Sequence, residues 1–121
     1  MSVTLYSEVD VSGTDLLGEF EQLVLLAILQ HRDDGYAILI RRAIEKVTDR
    51  SVSRGALYRT LDRLGNKELV AWQLEEAKED RGGNPRKRFR VTPEGVIALR
   101  RSRSVVSRLS AGLEDVLEQP S

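Results

Sequence analysis

Three arginines and a tyrosine on one short segment of the chain could bind anions. Leu57, Leu61 and Leu64 recur at spacings of four and three, which predicts a helix over 53–67 that packs these leucines on a core. Beside Asp62, the polar side chains that this helix turns to its flanks or to solvent are those of Arg54, Tyr58, Arg59 and Arg63. Guanidinium groups pair with phosphate oxygens and, bidentately, with guanine. Ser53 fits the N-cap position. The candidate DNA contacts on this helix are Ser53, Arg54, Tyr58, Arg59 and Arg63.

A second basic group lies in a predicted hairpin. Residues 69–74 and 88–91 alternate apolar and polar residues, with Val70, Trp72 and Leu74 on one face and Phe89 and Val91 inward. The polar, glycine-bearing stretch between them predicts a hairpin tip. We expect this wing, 78–88, to contact the minor groove or flanking backbone of DNA through Asn84, Arg86, Lys87 and Arg88.

Each of these interpretations has a plainer alternative. The helix arginines could be only solvated, and Tyr58 could pack under the helix instead of directing its hydroxyl to a phosphate. The hairpin cations could pair across the strands with Glu75 and Glu76. Trp72 could offer a stacking surface to a flat aromatic ligand, but its place on a strand favours packing. Most protein–DNA hydrogen bonds go to the backbone, so phosphate contact is the firmer expectation for any single arginine.

The remaining elements must position these two groups. Residues 1–15 are expected to form a flexible N-terminal arm, and 16–92 a winged helix-turn-helix with helices near 16–30 and 36–47. Thr92-Pro93-Glu94 predicts the start of a long C-terminal helix, so 93–121 is expected to form a dimerisation helix and tail. A heptad spacing joins Leu99, Val106 and Leu113, and a second one joins Leu109 and Val116. The predicted fold is mainly α with a small β-hairpin.

Composition limits the classes of function that we expect of this chain. Lysines plus arginines number 19 and equal the aspartates plus glutamates, but basic residues crowd the later part of the chain. No cysteine is present, and the single histidine, His31, is better explained as a helix-terminal cation than as a metal ligand. We therefore expect no metal, no cofactor and no enzymatic activity, because no catalytic constellation or phosphate-binding glycine loop is present. The longest apolar run is too short for a bilayer, which predicts a cytoplasmic protein.

Four segments together resemble one known family. They read LGEFEQLVLLAIL, GYAILIRRAIEKVT, SRGALYRTLDRL and GGNPRKRFRVTPEG, and they are similar to the PadR family of bacterial winged-helix transcriptional regulators over roughly 17–99. The most specific elements are Ser53, Gly55, Leu57 and Tyr58 in the third helix and the run from Lys87 to Gly95. Arg59 stands where relatives commonly have proline, and Glu68 where many have glycine.

The resemblance implies a homodimer built by the first and last helices. Each protomer would offer its third helix and wing to half of a roughly palindromic double-stranded operator. The residues expected at the dimer interface are Leu17, Phe20, Leu99, Val106, Leu109, Leu113 and Val116. We therefore predict a sequence-specific regulator that acts as a repressor, with an unidentified small-molecule inducer as a further candidate partner. The alternative is a winged helix that acts as a protein-interaction adaptor without specific DNA binding.

Overall fold

The computed structural model describes residues 16–76 and 85–118, which form helices and one hairpin. In chain order the elements are α1 (Glu19–His31), a 3₁₀ turn (Arg32–Asp34), α2 (Ala37–Thr48), α3 (Arg54–Asn66), β1 (Val70–Glu75), β2 (Arg86–Val91), α4 (Pro93–Ser110) and α5 (Glu114–Leu117). The predicted class, mainly α with a small hairpin, is confirmed. No helix in the described ranges is long and apolar enough to cross a membrane.

One apolar core joins the first three helices, the hairpin and the start of α4. The predicted face of α3 is confirmed, since Leu57, Leu61 and Leu64 are all buried. The side chains that meet them include Val24, Leu25, Ile28, Ile40, Ile44, Val70, Phe89 and Leu99. Burial of these side chains holds α3 in place and leaves the face opposite the leucines exposed.

Side-chain caps begin two of the helices, as the sequence predicted. Ser53 Oγ accepts a hydrogen bond from the Ala56 N–H at 3.0 Å at the start of α3. Thr92 Oγ1 accepts one from the Gly95 N–H at 3.0 Å at the start of α4. The first helix begins at Glu19, later than predicted, because Gly18 occupies the N-cap position.

The hairpin is fixed to the segment before α2. Strands β1 and β2 are antiparallel, with Trp72 opposite Phe89, and Tyr36 forms a further antiparallel bridge with Arg88. The Phe89 N–H donates to the Gly35 carbonyl oxygen at 2.7 Å. A Cβ atom on Gly35 would overlap the Phe89 carbonyl oxygen, so only glycine allows this close approach.

The outer part of β1 lies beyond the core. Alternation predicted one shared face for Val70, Trp72 and Leu74, and on that face Trp72 is 50% exposed and Leu74 is 62% exposed. The three residues do share a face, yet the hairpin extends beyond the core, so only Val70 is covered. Trp72 instead packs along the hairpin, with the Lys87 Nζ atom 4.1 Å from the centre of its ring.

The prediction of one long C-terminal helix is wrong in its extent. Helix α4 ends at Ser110, Ala111 leaves the helical conformation, and Gly112 has a φ of 85°. Leu113 therefore precedes α5 and Val116 lies within it, so the heptad does not run along a single helix. Glycine destabilises a helix interior, which explains why the apolar spacing alone overestimated the length.

Candidate nucleic-acid interface

The exposed face of α3 carries Arg59 at its centre. Helical geometry places Gly55, Arg59 and Asp62 opposite the buried leucines, and all three are exposed. The Arg59 guanidinium extends back over Gly55, with one Nη atom 3.2 Å from the position that a Cβ there would occupy. The absence of a side chain at Gly55 thus leaves room for Arg59 to lie along the outermost surface of the helix.

One flank of α3 faces the hairpin, and cations from both elements meet there. The Arg54 guanidinium lies 5.7 Å from the centre of the Tyr58 ring. A cleft between α2, α3 and the hairpin is lined by Tyr36, Ala37, Ile38, Arg54, Tyr58, Leu74, Pro85, Arg86 and Lys87. Tyr58 and Lys87 also line a neighbouring cleft beside Asp62 and Trp72. The structure therefore brings Arg54, Tyr58 and Lys87 together, as a surface that receives a phosphate backbone requires.

Arg63 lies on the opposite flank of α3 and contacts α1. Its Nε atom is 3.3 Å from Glu21 Oε2, and Lys67 Nζ is 3.1 Å from the same oxygen. Arg63 does not join the cluster of Arg54 and Tyr58. This contact links α3 to α1, and no pattern in the sequence singles out Glu21 as the partner of Arg63.

The Glu21 carboxylate is buried but remains charged. Burial by itself raises the pKa of Glu21, but hydrogen bonds from the Gly18 N–H, Lys67 and Arg63 together outweigh it and lower the pKa below its usual value. The Gly18 N–H donates to Oε1 at 2.9 Å, so both carboxylate oxygens are satisfied. This anion fixes the position of α1 against the end of α3.

Arg86 and Arg88 lie towards the loop end of the hairpin, where Glu75 engages both. Arg88 Nε is 3.1 Å and Arg86 Nε 3.7 Å from the Glu75 carboxylate. The Tyr36 hydroxyl donates to the same carboxylate at 2.9 Å, and the Arg86 guanidinium stacks 3.5 Å above the Tyr36 ring centre. The cross-strand pairing considered as the alternative thus occurs for both arginines. Asn84 and the tip over 78–84 lie outside the described residues.

These features define the class of protein. Helices α2 and α3 form a helix-turn-helix, α3 is capped and carries exposed arginines, and a basic hairpin follows it. This is the arrangement of a winged-helix DNA-binding protein. Among the described residues, no group of three or more histidine, cysteine, aspartate or glutamate side chains could hold a metal ion.

Comparison with known proteins identifies the family. Residues 25–101 match the transcriptional regulator PadR-like family, so the chain belongs to this family, as the sequence resemblance indicated. It is a DNA-binding transcriptional regulator. No curated protein matches the chain significantly.

Several solved structures share this fold. A PadR-like transcription factor from Bacteroides fragilis is 27% identical, with a TM-score of 0.66 over 80% of this chain and 88% of that one. A PadR family regulator from Eggerthella lenta is 26% identical, with a TM-score of 0.62 over 84% and 88%. A PadR-like regulator from Bacillus cereus is 22% identical, with a TM-score of 0.65 over 84% and 93%, and shares the fold.

Proposed function

We propose that the chain is a dimeric, sequence-specific repressor that inserts α3 into the major groove and lays the hairpin along the flanking backbone or minor groove. The observation that carries this proposal is the convergence of Arg54 and Tyr58 from α3 with Lys87 from the hairpin on one cleft. Occupation of a promoter by such a dimer would block transcription.

The geometry supports different roles for the two exposed arginines of α3. Arg59 lies on the outermost face, where a helix in the major groove meets base edges, and we assign it to base readout. Arg54 and Lys87 border the cleft, and we assign them to phosphates. Ser53 and the Tyr58 hydroxyl lie at the same end of α3 and are proposed as further backbone contacts.

The proposed dimer sets the form of the operator. Two-fold symmetry places two half-sites about 10 bp apart from centre to centre, or a multiple of that spacing. Phe20 and the exposed apolar residues Val106, Leu109, Leu113 and Val116 are proposed for the interface. Leu17 and Leu99 are buried within the protomer, so their side chains stabilise the helices that carry this interface.

Fluorescence anisotropy tests the proposal with DNA from upstream of the protein's own gene and with scrambled DNA, across a salt series. Preference for the upstream fragment together with a steep loss of affinity with salt is expected. Equal binding to both DNAs would contradict sequence specificity. Absence of binding at low salt would contradict the proposed DNA interface and favour a protein partner.

Two substitutions separate the proposed roles. Arg59→Ala should cost about 1–3 kcal/mol on the preferred fragment and little on scrambled DNA. Arg54→Ala should weaken binding to both and reduce the salt slope by about 0.9. Arg103→Ala removes the same charge from an exposed position on α4 and serves as the matched control, with little effect on either DNA. Equal losses of DNA affinity for Arg59→Ala and the control would contradict a place for Arg59 in the interface.

A further inference from the structure

We propose that Glu75 is a specificity-determining residue, because it withholds two hairpin arginines from DNA that α3 does not recognise. The inference rests on the proposed function. It concerns the Glu75 cluster, which we define as Tyr36, Glu75, Arg86 and Arg88. In the free protein the Glu75 carboxylate engages both arginines. Only DNA that α3 holds in its specific register can bring a phosphate close enough to take the place of this carboxylate beside them.

Direct contacts hold the Glu75 cluster together. Glu75 lies opposite Arg86 in the register of the hairpin, and its carboxylate reaches Arg86 Nε at 3.7 Å and Arg88 Nε at 3.1 Å. The Tyr36 hydroxyl donates to both carboxylate oxygens, at 2.9 and 3.0 Å. The Glu75 side chain is 27% exposed, so water screens these ion pairs less than it screens pairs on the open surface.

Further contacts fix Arg88 in this position. Its Nη1 atom donates to the Asp33 carbonyl oxygen at 3.4 Å and its Nη2 atom to Gln73 Oε1 at 3.3 Å. The backbone bridge between Tyr36 and Arg88 anchors the same strand to the segment before α2. A phosphate that recruits Arg88 must therefore replace several hydrogen bonds, which DNA held only loosely cannot do.

The other cations of the interface are not restrained in this way. Within the described ranges no acid forms an ion pair with Arg54, Arg59 or Lys87 at 4.0 Å or less. These three can meet any phosphate that approaches the cleft. The interface thus contains two sets of cations, one always available and one released only when a well-placed phosphate competes with Glu75.

The test compares Glu75→Gln with Glu76→Gln, which changes the net charge by the same amount at the adjacent position. Glu75→Gln keeps the shape of the side chain and removes the negative charge that engages both arginines. It should raise affinity for scrambled DNA about tenfold and steepen the salt slope by about 1–2, since each added phosphate contact contributes roughly 0.9. Affinity for the upstream fragment should rise less. The ratio of the affinity for the upstream fragment to the affinity for scrambled DNA should therefore fall. Glu76→Gln should leave the slope and the ratio near those of the wild type.

Two further variants show whether the gain in affinity comes from the released arginines. In an Arg86→Gln/Arg88→Gln background, the gain from Glu75→Gln should disappear. Glu75→Asp retains the negative charge but shortens the side chain, so it should also raise affinity for scrambled DNA, and it carries the test if Glu75→Gln does not fold. Equal effects of Glu75→Gln and Glu76→Gln, a gain that persists without the arginines, or an inert Glu75→Asp would overturn the inference. If the wild type binds no DNA at low salt, the proposed function itself fails.

Discussion

Glu21 is a buried carboxylate whose charge is stabilised by groups from two other parts of the fold. An unpaired acid in this position would become neutral, because burial disfavours the ionised form. Here the Gly18 N–H, Arg63 and Lys67 all donate to it. The carboxylate therefore links the start of α1 to the end of α3.

Glu21→Gln should destabilise the protein by about 1–2 kcal/mol at pH 7, because the amide cannot satisfy two cations. The pKa of Glu21 is lowered in the folded state, so its stabilisation is present above the unfolded pKa of about 4.3 and is lost as the pH falls through the folded pKa. Urea denaturation at pH 7 and pH 3 measures the difference in the free energy of unfolding between Glu21→Gln and the wild type. This difference should be smaller at pH 3 than at pH 7. Glu19→Gln, at an exposed position on the same helix, is the control, and a pH-independent difference would contradict the assignment.

Glu68 has a left-handed backbone, with a φ of 65°. It follows α3, where its N–H donates to the Gly65 carbonyl oxygen at 2.9 Å. Glu68→Gly should stabilise the protein by about 0.5–1 kcal/mol and raise Tm by about 2–6 °C, because glycine adopts this conformation without strain. Glu68→Ala retains the strain and should give no gain in a thermal melt. If alanine stabilised as much as glycine, the side chain and not the backbone would be responsible.

The residues of the site differ in how far the sequence could specify them. Ser53, Arg54 and Arg59 follow from the helical period, because cap and face are set within a few residues of the chain. The partner of Arg63 could not be predicted, since Glu21 lies 42 positions away and only the packing of α1 on α3 brings them together. Tyr36 carries no local signal of its contact with Glu75 for the same reason.

At the scale of elements, the position of the hairpin depends on a backbone contact. The Phe89 N–H and Gly35 carbonyl oxygen are 2.7 Å apart, and this contact aligns β2 with the start of α2. The two strands and both caps were predictable because their signals are local. The anchoring of the hairpin was not, because Gly35 reads in sequence only as a helix breaker.

Gly35→Ala should destabilise the protein by about 2–4 kcal/mol, because the new methyl group would overlap the Phe89 carbonyl oxygen and separate the two backbones. Gly65→Ala is the matched control. A Cβ there would lie no closer than 4.0 Å to the Val70 carbonyl oxygen, and alanine within α3 should stabilise by about 0.5–1 kcal/mol. Urea denaturation of both variants measures the free energy of unfolding, which should fall for Gly35→Ala and rise for Gly65→Ala. A Gly35→Ala protein as stable as the wild type would show that the hairpin can shift at little cost.

At the scale of the whole molecule, the apolar stripe of α4 continues beyond the protomer's own core. Leu99 and Ser102 are buried on this stripe, and the helical period places Val106 and Leu109 on the same face. Yet Val106 is 60% exposed and Leu109 is 77% exposed, and Leu113, Val116 and Leu117 beyond them are exposed as well. A face that changes from buried to open without losing its apolar character is typical of a surface that another chain covers.

Leu109→Asp should therefore weaken the proposed dimer by more than about 2 kcal/mol, because association would bury an unpaired charge. Light scattering on the eluting protein should show the wild type near twice the chain mass of 13.6 kDa and the variant shifted towards a single chain. Operator affinity should fall with it, while the helical circular dichroism signal stays unchanged because Leu109 contributes little to the protomer core. Ser104→Asp places the same charge on the opposite face of α4 and should leave the mass unchanged. A Leu109→Asp protein that kept the dimer mass would show that the two-fold contact does not lie at this end of α4. The proposed spacing of the half-sites would then have to be derived from another interface.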